Sequence, residues 1–287
     1  MTNNDLNNKV NRVVVLGGKG FVGSEILLKL KEKKISVRSI SRNEIDLTDH
    51  SSIKYLADNL DKNDVLLVAS AIAPVKNHTM LTNNIIMVEN ICKALTFQKV
   101  QKILYVSSDA VYADKVNPLS EDSITNPVSL HGMMHLTREM MLKEMKRIPL
   151  AIVRPTLIYG QNDPHNGYGP NSFIRLIKEQ KSIKLFGKGE EKRDHVFIED
   201  VANLSCRIIL GEFEGILNIA TGNVFSFSEV AQKIIKSYAP ELNVEYLERK
   251  NAMPHDGFRS FDASKTNEIF PDFIYTSLDK GLSYLNK

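Results

Sequence analysis

Arg12-Val13-Val14-Val15-Leu16-Gly17-Gly18-Lys19-Gly20-Phe21-Val22-Gly23-Ser24-Glu25-Ile26-Leu27-Leu28-Lys29-Leu30 changes its pattern twice. It opens on an apolar, β-branched run, the signature of a strand buried on both faces of a parallel sheet. From Ser24 it has helical periodicity. Between the two stand glycines at 17, 20 and 23. Strand, glycine turn and helix in this order open a parallel α/β unit. Glycine lets the backbone turn tightly and approach a pyrophosphate, which then lies on the helix N-terminus. Gly17, Lys19, Gly20, Phe21, Val22 and Gly23 are therefore candidate contacts to a dinucleotide. The bland alternative is a tight turn without a ligand.

Working outward, Ile35–Ile40 reads as a second strand. An acid at its end would accept the ribose 2′-hydroxyl of NAD. Here Ser41 and Arg42 stand there, with Lys19 in the glycine loop. A hydroxyl and two cations suit a 2′-phosphate, so NADP is favoured and NAD is the alternative. Asp46-Leu47 follows. Asp64–Ala73 is a further strand ending in small residues, and Ala69, Ser70 and Ala71 leave room for a flat ligand. Thr82–Thr96 is a long helix carrying Asn84 and Asn90. Lys102–Val106 is another strand, running into Ser107-Ser108-Asp109-Ala110-Val111-Tyr112. Strands alternating with helices predict a doubly wound parallel α/β sheet.

The chain has 287 residues, 43% hydrophobic and 25% charged, with a formal net charge of +3. That is enough for one large domain, or a domain with a lobe built onto it. Scattered Lys and Arg give no basic patch, so no nucleic acid is expected. Met1–Asn8 is Asn-rich and reads as a disordered tail, not a signal peptide. No run of 18 apolar residues is present, so no membrane partner is expected. Cys92 and Cys206 read as buried reduced thiols. Together these predict a cytoplasmic protein.

Several segments occur in one recognisable order: Gly17–Gly23, Asp46-Leu47, Asn84–Ala94, Ser107–Tyr112, Arg154-Pro155-Thr156-Leu157-Ile158-Tyr159-Gly160 and Arg193–Ala202. In them the chain resembles the extended short-chain dehydrogenase/reductases, which include sugar-nucleotide epimerases, dehydratases and reductases. Its Ser41-Arg42 and Asp46-Leu47 spacing looks most like the NADP-using GDP-fucose synthase branch. The resemblance implies a Rossmann domain with a smaller C-terminal substrate lobe and a nucleotide-linked sugar as substrate. It also implies a homodimer through the helices near 82–96 and 131–147. It makes Pro155 a cofactor contact and gives Ser108 the task of polarising the substrate oxygen. Asp109 stands where related dehydratases place an acid. The glutamate that follows there is Ala110 here, which disfavours glucose-type 4,6-dehydration. Arg193 falls where family members hold the nucleotide diphosphate, and Arg259 is a second phosphate candidate.

One departure bears on the chemistry. The family pair Tyr-x-x-x-Lys lies in Pro-x-Ser-x-Tyr-Gly-x-x-Lys-x-x-x-Glu. The matching segment, Pro127-Val128-Ser129-Leu130-His131-Gly132-Met133-Met134-His135-Leu136-Thr137-Arg138-Glu139, has His131 for the Tyr and His135 for the Lys. A Tyr near pKa ~10 needs the Lys cation to become a base, whereas a His near ~6.5 needs none at neutral pH. The two changes are thus mutually consistent. Three readings stand. His131 is the acid–base group of a working enzyme, with His135 orienting the cofactor ribose. Or the site is silent, and the protein is a cofactor-binding sensor or partner subunit. Or the pair, at i and i+4, holds a metal, though no Glu completes H-E-x-x-H and no metal is assigned.

The expected division is a dinucleotide-binding domain at 9–158, with segments near 192–220 returning to it. A substrate lobe at 159–287 is interleaved with it. His165 and Tyr168 read as part of a solvated loop. Asp194 and Asp200 read as structural, the second capping a helix from Val201.

Overall fold

The computed structural model describes residues 10–114 and 117–285; the expected tail at 1–8 lies outside the described residues. The chain runs β1 (Arg12–Leu16), α1 (Phe21–Glu32), β2 (Val37–Ile40), α2 (Ser51–Asn59), β3 (Asp64–Val68), α3 (His78–Phe97) and β4 (Lys102–Val106). It continues with α4 (Leu130–Lys143), β5 (Leu150–Pro155), β6 (Leu157–Tyr159), α5 (Pro170–Lys178), β7 (Ile183–Phe186), β8 (Lys192–Phe197) and α6 (Ile198–Leu210). It closes with β9 (Gly215–Ile219), β10 (Val224–Ser226), α7 (Phe227–Tyr238), β11 (Val244–Leu247), β12 (Phe258–Arg259), α8 (Ser264–Ile269) and α9 (Leu278–Ser283).

Two compact units result. The first holds the described residues of Met1–Ala113, Ile124–Arg154 and Val201–Leu217. Its sheet has the order β2-β1-β3-β4-β5-β9, and from β2 to β5 every pairing is parallel. Side chains alternate across a strand. Val14 and Leu16, Leu66 and Val68, Ile103 and Tyr105 join a core with Leu56 of α2, Val88 and Ile91 of α3 and Leu142 of α4. The intervening Val13, Val15, Leu67 and Leu104 are equally buried. Burial on both faces is why these strands read as unbroken apolar runs.

The second unit comprises the described residues of Asp114–Ser123, Pro155–Asp200 and Asn218–Lys287. In it β8 pairs in parallel with β6 and β12 and antiparallel with β10, while β7 and β11 form a separate parallel pair. A capping box starts α7: Ser226 Oγ accepts from the Glu229 N–H, and the Glu229 carboxylate accepts from the Ser226 N–H.

Five local expectations are corrected. The second strand begins at Val37 and the third ends at Val68, so Ala69-Ser70-Ala71 lies in the loop beyond it. The helix expected at 82–96 starts earlier, because the Asn77 side chain caps it by accepting from the Met80 N–H. Helix α6 begins at Ile198, which puts Asp200 inside its first turn. The Asp200 carboxylate accepts from the Thr276 N–H and hydroxyl and caps nothing. Tyr168 packs against Phe173, Phe186 and Phe227 instead of facing water.

Candidate active site

The glycine turn is built by close approach. At Gly17 (φ +92°) an added Cβ would stand 2.5 Å from the Ser70 N, and at Gly23 only 2.2 Å from the Gly17 O. Neither space admits a side chain, so β1, α1 and the 69–71 loop meet as bare backbone. Helix α1 has no side-chain cap at Gly20, and the first N–H groups of a helix have no partner within it. Beside it lies a cleft lined by Gly17, Lys19, Gly20, Ser41, Arg42, Asp46, Leu47, Ala69, Ser70 and Ala71. Ten sequence-selected residues therefore share one cleft; Phe21, Val22 and Gly23 lie in the helix behind the turn, and Pro155 lies in the second unit. Ile45, Thr48, Ile72 and Met87, which also line it, were not selected. Buried Ser70 Oγ has no hydrogen-bond partner among the described residues. A bare-backbone cradle, an uncapped helix start and an unpaired hydroxyl fit a dinucleotide.

The wall toward the second strand is more occupied than the sequence implied. The Ser41 N–H and hydroxyl both donate to Glu44 Oε1, at 2.9 and 3.1 Å. Arg38 and the Ser41 N–H hold the Glu44 carboxyl down at about 2. Arg42 pairs with Asp46 at 3.2 Å but stays largely exposed. Asp46 Oδ1 accepts from the Thr48 N–H and hydroxyl, which lowers its pKa. The Asn90 amide donates to the Leu47 and Asp49 carbonyls and pins this segment.

Past β4, Ser108 opens a 3₁₀ turn over Asp109–Val111: its Oγ accepts from the Ala110 N–H at 3.2 Å and lies 3.4 Å from Asp109 Oδ1. Ser129 caps α4, accepting from the Gly132 N–H at 3.1 Å. A Cβ at Gly132 would fall 2.1 Å from the Ala110 O. The first turn of α4 therefore lies directly on the Ser108–Val111 turn, and half-buried His131 precedes Gly132 in that turn of the helix. Behind them Ser107 donates to Glu139 at 2.6 Å, and Arg154 donates to both oxygens of Glu139.

His135, one turn after His131, points inward and is 6% exposed. Its Nδ1 is 2.7 Å from the Tyr105 hydroxyl, and its ring meets His131 edge-on with centroids 4.7 Å apart. Burial, then the neighbouring His131 and Arg138, push its pKa well below the usual histidine range. Arg138 donates to the Ser70 carbonyl and to Asn84 Oδ1, and Asn84 holds both backbone groups of Ile72. These two residues brace the 69–72 wall of the cleft. No group of three or more His, Cys, Asp or Glu that could hold a metal occurs among the described residues.

In the second unit Arg193 and Arg259 are register partners on β8 and β12. Arg193 donates to Glu191 and to the Pro254 carbonyl. Arg259 approaches Asp114 and His255. The sequence selected both arginines; their adjacency and their acidic neighbours come from the fold. Asp194 accepts from Thr221 and Gly222 and is structural.

The sequence model of the NAD dependent epimerase/dehydratase family matches residues 13–220. The chain belongs to that family. It is similar to a Bacillus subtilis (strain 168) protein described as an uncharacterized UDP-glucose epimerase: 25% identical, covering 95% of this chain and 96% of that one. It is 29% identical to a putative UDP-glucose 4-epimerase of Methanocaldococcus jannaschii, over 76% of this chain and 79% of that one. The Thermus thermophilus UDP-glucose 4-epimerase complex with NAD superposes with a TM-score of 0.80 at 20% identity, covering 95% and 98% of the two chains. This enzyme of the epimerase/dehydratase family carries imidazoles at 131 and 135. Among the described residues no helix is long and apolar enough to cross a membrane.

Proposed function

We propose that this epimerase/dehydratase acts on a nucleotide-linked sugar with a nicotinamide dinucleotide in the Gly17–Ala71 cleft, NADP being favoured. The observation that carries the reading is the seat of α4 on the Ser108–Val111 turn through Gly132. It seats the helix turn that carries His131 on the turn that Ser108 opens. When bound, the dinucleotide supplies a hydride acceptor or donor. The chain's own residues do the rest. Ser108 Oγ–H polarises the reacting oxygen, and Asp109 stands beside it as a substrate contact. His131 takes the proton from that oxygen in oxidation and returns it in reduction. A neutral His135 offers Nε2 to a cofactor ribose hydroxyl. Arg193 and Arg259 take the diphosphate, exchanging part of their present carboxylate and carbonyl contacts for it. The related UDP-glucose epimerases support a nucleotide sugar as the substrate class.

The NADP preference rests on Lys19 and Arg42, since Ser41 is already engaged by Glu44. Replacing Arg42 with Glu removes a charge-assisted bond of about 1.5 kcal/mol or more to a 2′-phosphate. NADPH affinity then falls at least about tenfold while NADH affinity holds. Equal losses for both cofactors overturn the preference. The test of the whole reading is incubation with NAD(H) or NADP(H) and a panel of nucleotide sugars and their 4-keto forms. Absorbance and product chromatography are followed. Turnover of one nucleotide sugar supports it. Tight cofactor binding with no turnover on any substrate transfers the assignment to a silent cofactor-binding protein.

A further inference from the structure

The side chains of Tyr105, His135 and His131 form a line that runs from the middle of the sheet toward the Ser108 turn. Tyr105 is 1% exposed on β4, and among the described residues its hydroxyl hydrogen-bonds to His135 Nδ1, at 2.7 Å. A phenol has one hydrogen to give and an imidazole has two distinct nitrogens. If Nδ1 carried the proton, it would donate to the hydroxyl. The hydroxyl hydrogen would then have no acceptor among the described residues. A buried donor left unpaired is the costlier arrangement. The hydroxyl therefore donates and Nδ1 accepts. Burial raises the Tyr105 pKa, so the phenol keeps the proton that it donates. Arg138, with its guanidinium carbon 5.3 Å from the centre of the Tyr105 ring, opposes a second positive charge on His135. A neutral imidazole that accepts at Nδ1 must carry its hydrogen on Nε2.

We propose that Tyr105 is a positioning residue: its hydroxyl locks His135 as the neutral Nε2–H tautomer. That locked ring presents one uncharged N–H to the cofactor ribose and holds the His131 ring through their edge-on contact. The proposal rests on the reading of His131 as the acid–base group. It explains how the site works without an ammonium at position 135. An N–H donor is still supplied, and no cation is placed against His131, whose basicity is needed. No bond is made or broken in the lock; it selects which nitrogen bears the hydrogen.

The test begins on the wild-type protein, with ¹⁵N-histidine labelling and two-dimensional ¹H–¹⁵N correlation of the ring nitrogens. His135 should show an unprotonated Nδ1 and a protonated Nε2 at neutral pH. A protonated Nδ1, or an imidazolium, overturns the lock whatever the activity. Tyr105→Phe keeps the ring and removes the hydroxyl. The variant should show His135 as a mixture of tautomers. Its kcat should fall about tenfold, with KM for the sugar nucleotide within about twofold, because the ring is misplaced and not lost. An unchanged kcat with a mixed tautomer shows that the lock does not position the reacting groups, and overturns that half. Should no nucleotide sugar turn over in the wild type, the functional reading fails, while the ring-nitrogen signals still decide the tautomer.

Discussion

His195 on β8 is 3% exposed. Its ring meets Phe227 edge-on at 5.7 Å. Burial, the first cause, pulls its pKa from 6.5 to about 4. A histidine depressed in this way is neutral in the folded state, while the unfolded chain takes up a proton below about 6.5. Stability is therefore full above about pH 6.5 and declines as the pH falls toward 4, by about 2 kcal/mol at pH 5. His195→Phe removes this loss. Urea unfolding should show the variant gaining about 2 kcal/mol relative to the wild type between pH 7.5 and pH 5. A constant gap refutes the assignment. His135 adds a loss of the same sign to both proteins and cancels in the comparison. At this scale the sequence marks His131 and His135 as candidates, because an ungapped proline, serine, glycine and glutamate frame them. It did not reveal Tyr105, Arg138 or Glu44. An aromatic in a strand reads as core, and an arginine or glutamate on its own reads as surface. Only the packing of α4 on β4, and the loop after β2, turn them toward the site.

Helix α4 carries the proposed acid–base residue, His131. Gly132 allows its first turn to touch the Ala110 carbonyl, so Gly132→Ala must push the helix or the turn aside. We expect a loss of about 1–3 kcal/mol in denaturant unfolding, as overpacking costs, together with reduced activity as His131 moves from Ser108. Gly167→Ala, where an added Cβ meets nothing within 4 Å, serves as the control and should change neither. The far end of the same helix carries Glu139, fully buried between Ser107 and Arg154. Glu139→Ala leaves the Arg154 guanidinium buried without its carboxylate and should cost about 3–5 kcal/mol. Thermal unfolding measures it, and a shift no larger than that of a surface substitution would refute the role. The motif marked Gly132 and Glu139 as positions without giving their reasons, because both reasons are contacts with residues distant in the chain.

Across the whole molecule, alternating apolar strands and amphipathic helices were enough to predict a doubly wound sheet, and six strands in the order β2-β1-β3-β4-β5-β9 form it. The passage of Asp114–Ser123 into the second unit left no mark in the sequence. A short polar loop looks the same whichever unit it joins. The expected homodimer is a proposal supported by Met133 and Met140, which stay exposed on α4. Met140→Asp should therefore lower the sedimentation coefficient to that of a monomer, and an unchanged coefficient would reject that interface. The Gly17–Ala71 cleft, the Ser108 turn and His131 all belong to the first unit. The most direct measurement is kcat with the sugar nucleotide that the panel identifies, in the wild type and in His131→Ala, with cofactor binding measured in parallel. The account predicts a fall of about 10²–10⁴-fold in kcat with cofactor affinity retained; turnover by His131→Ala at the wild-type rate would contradict it.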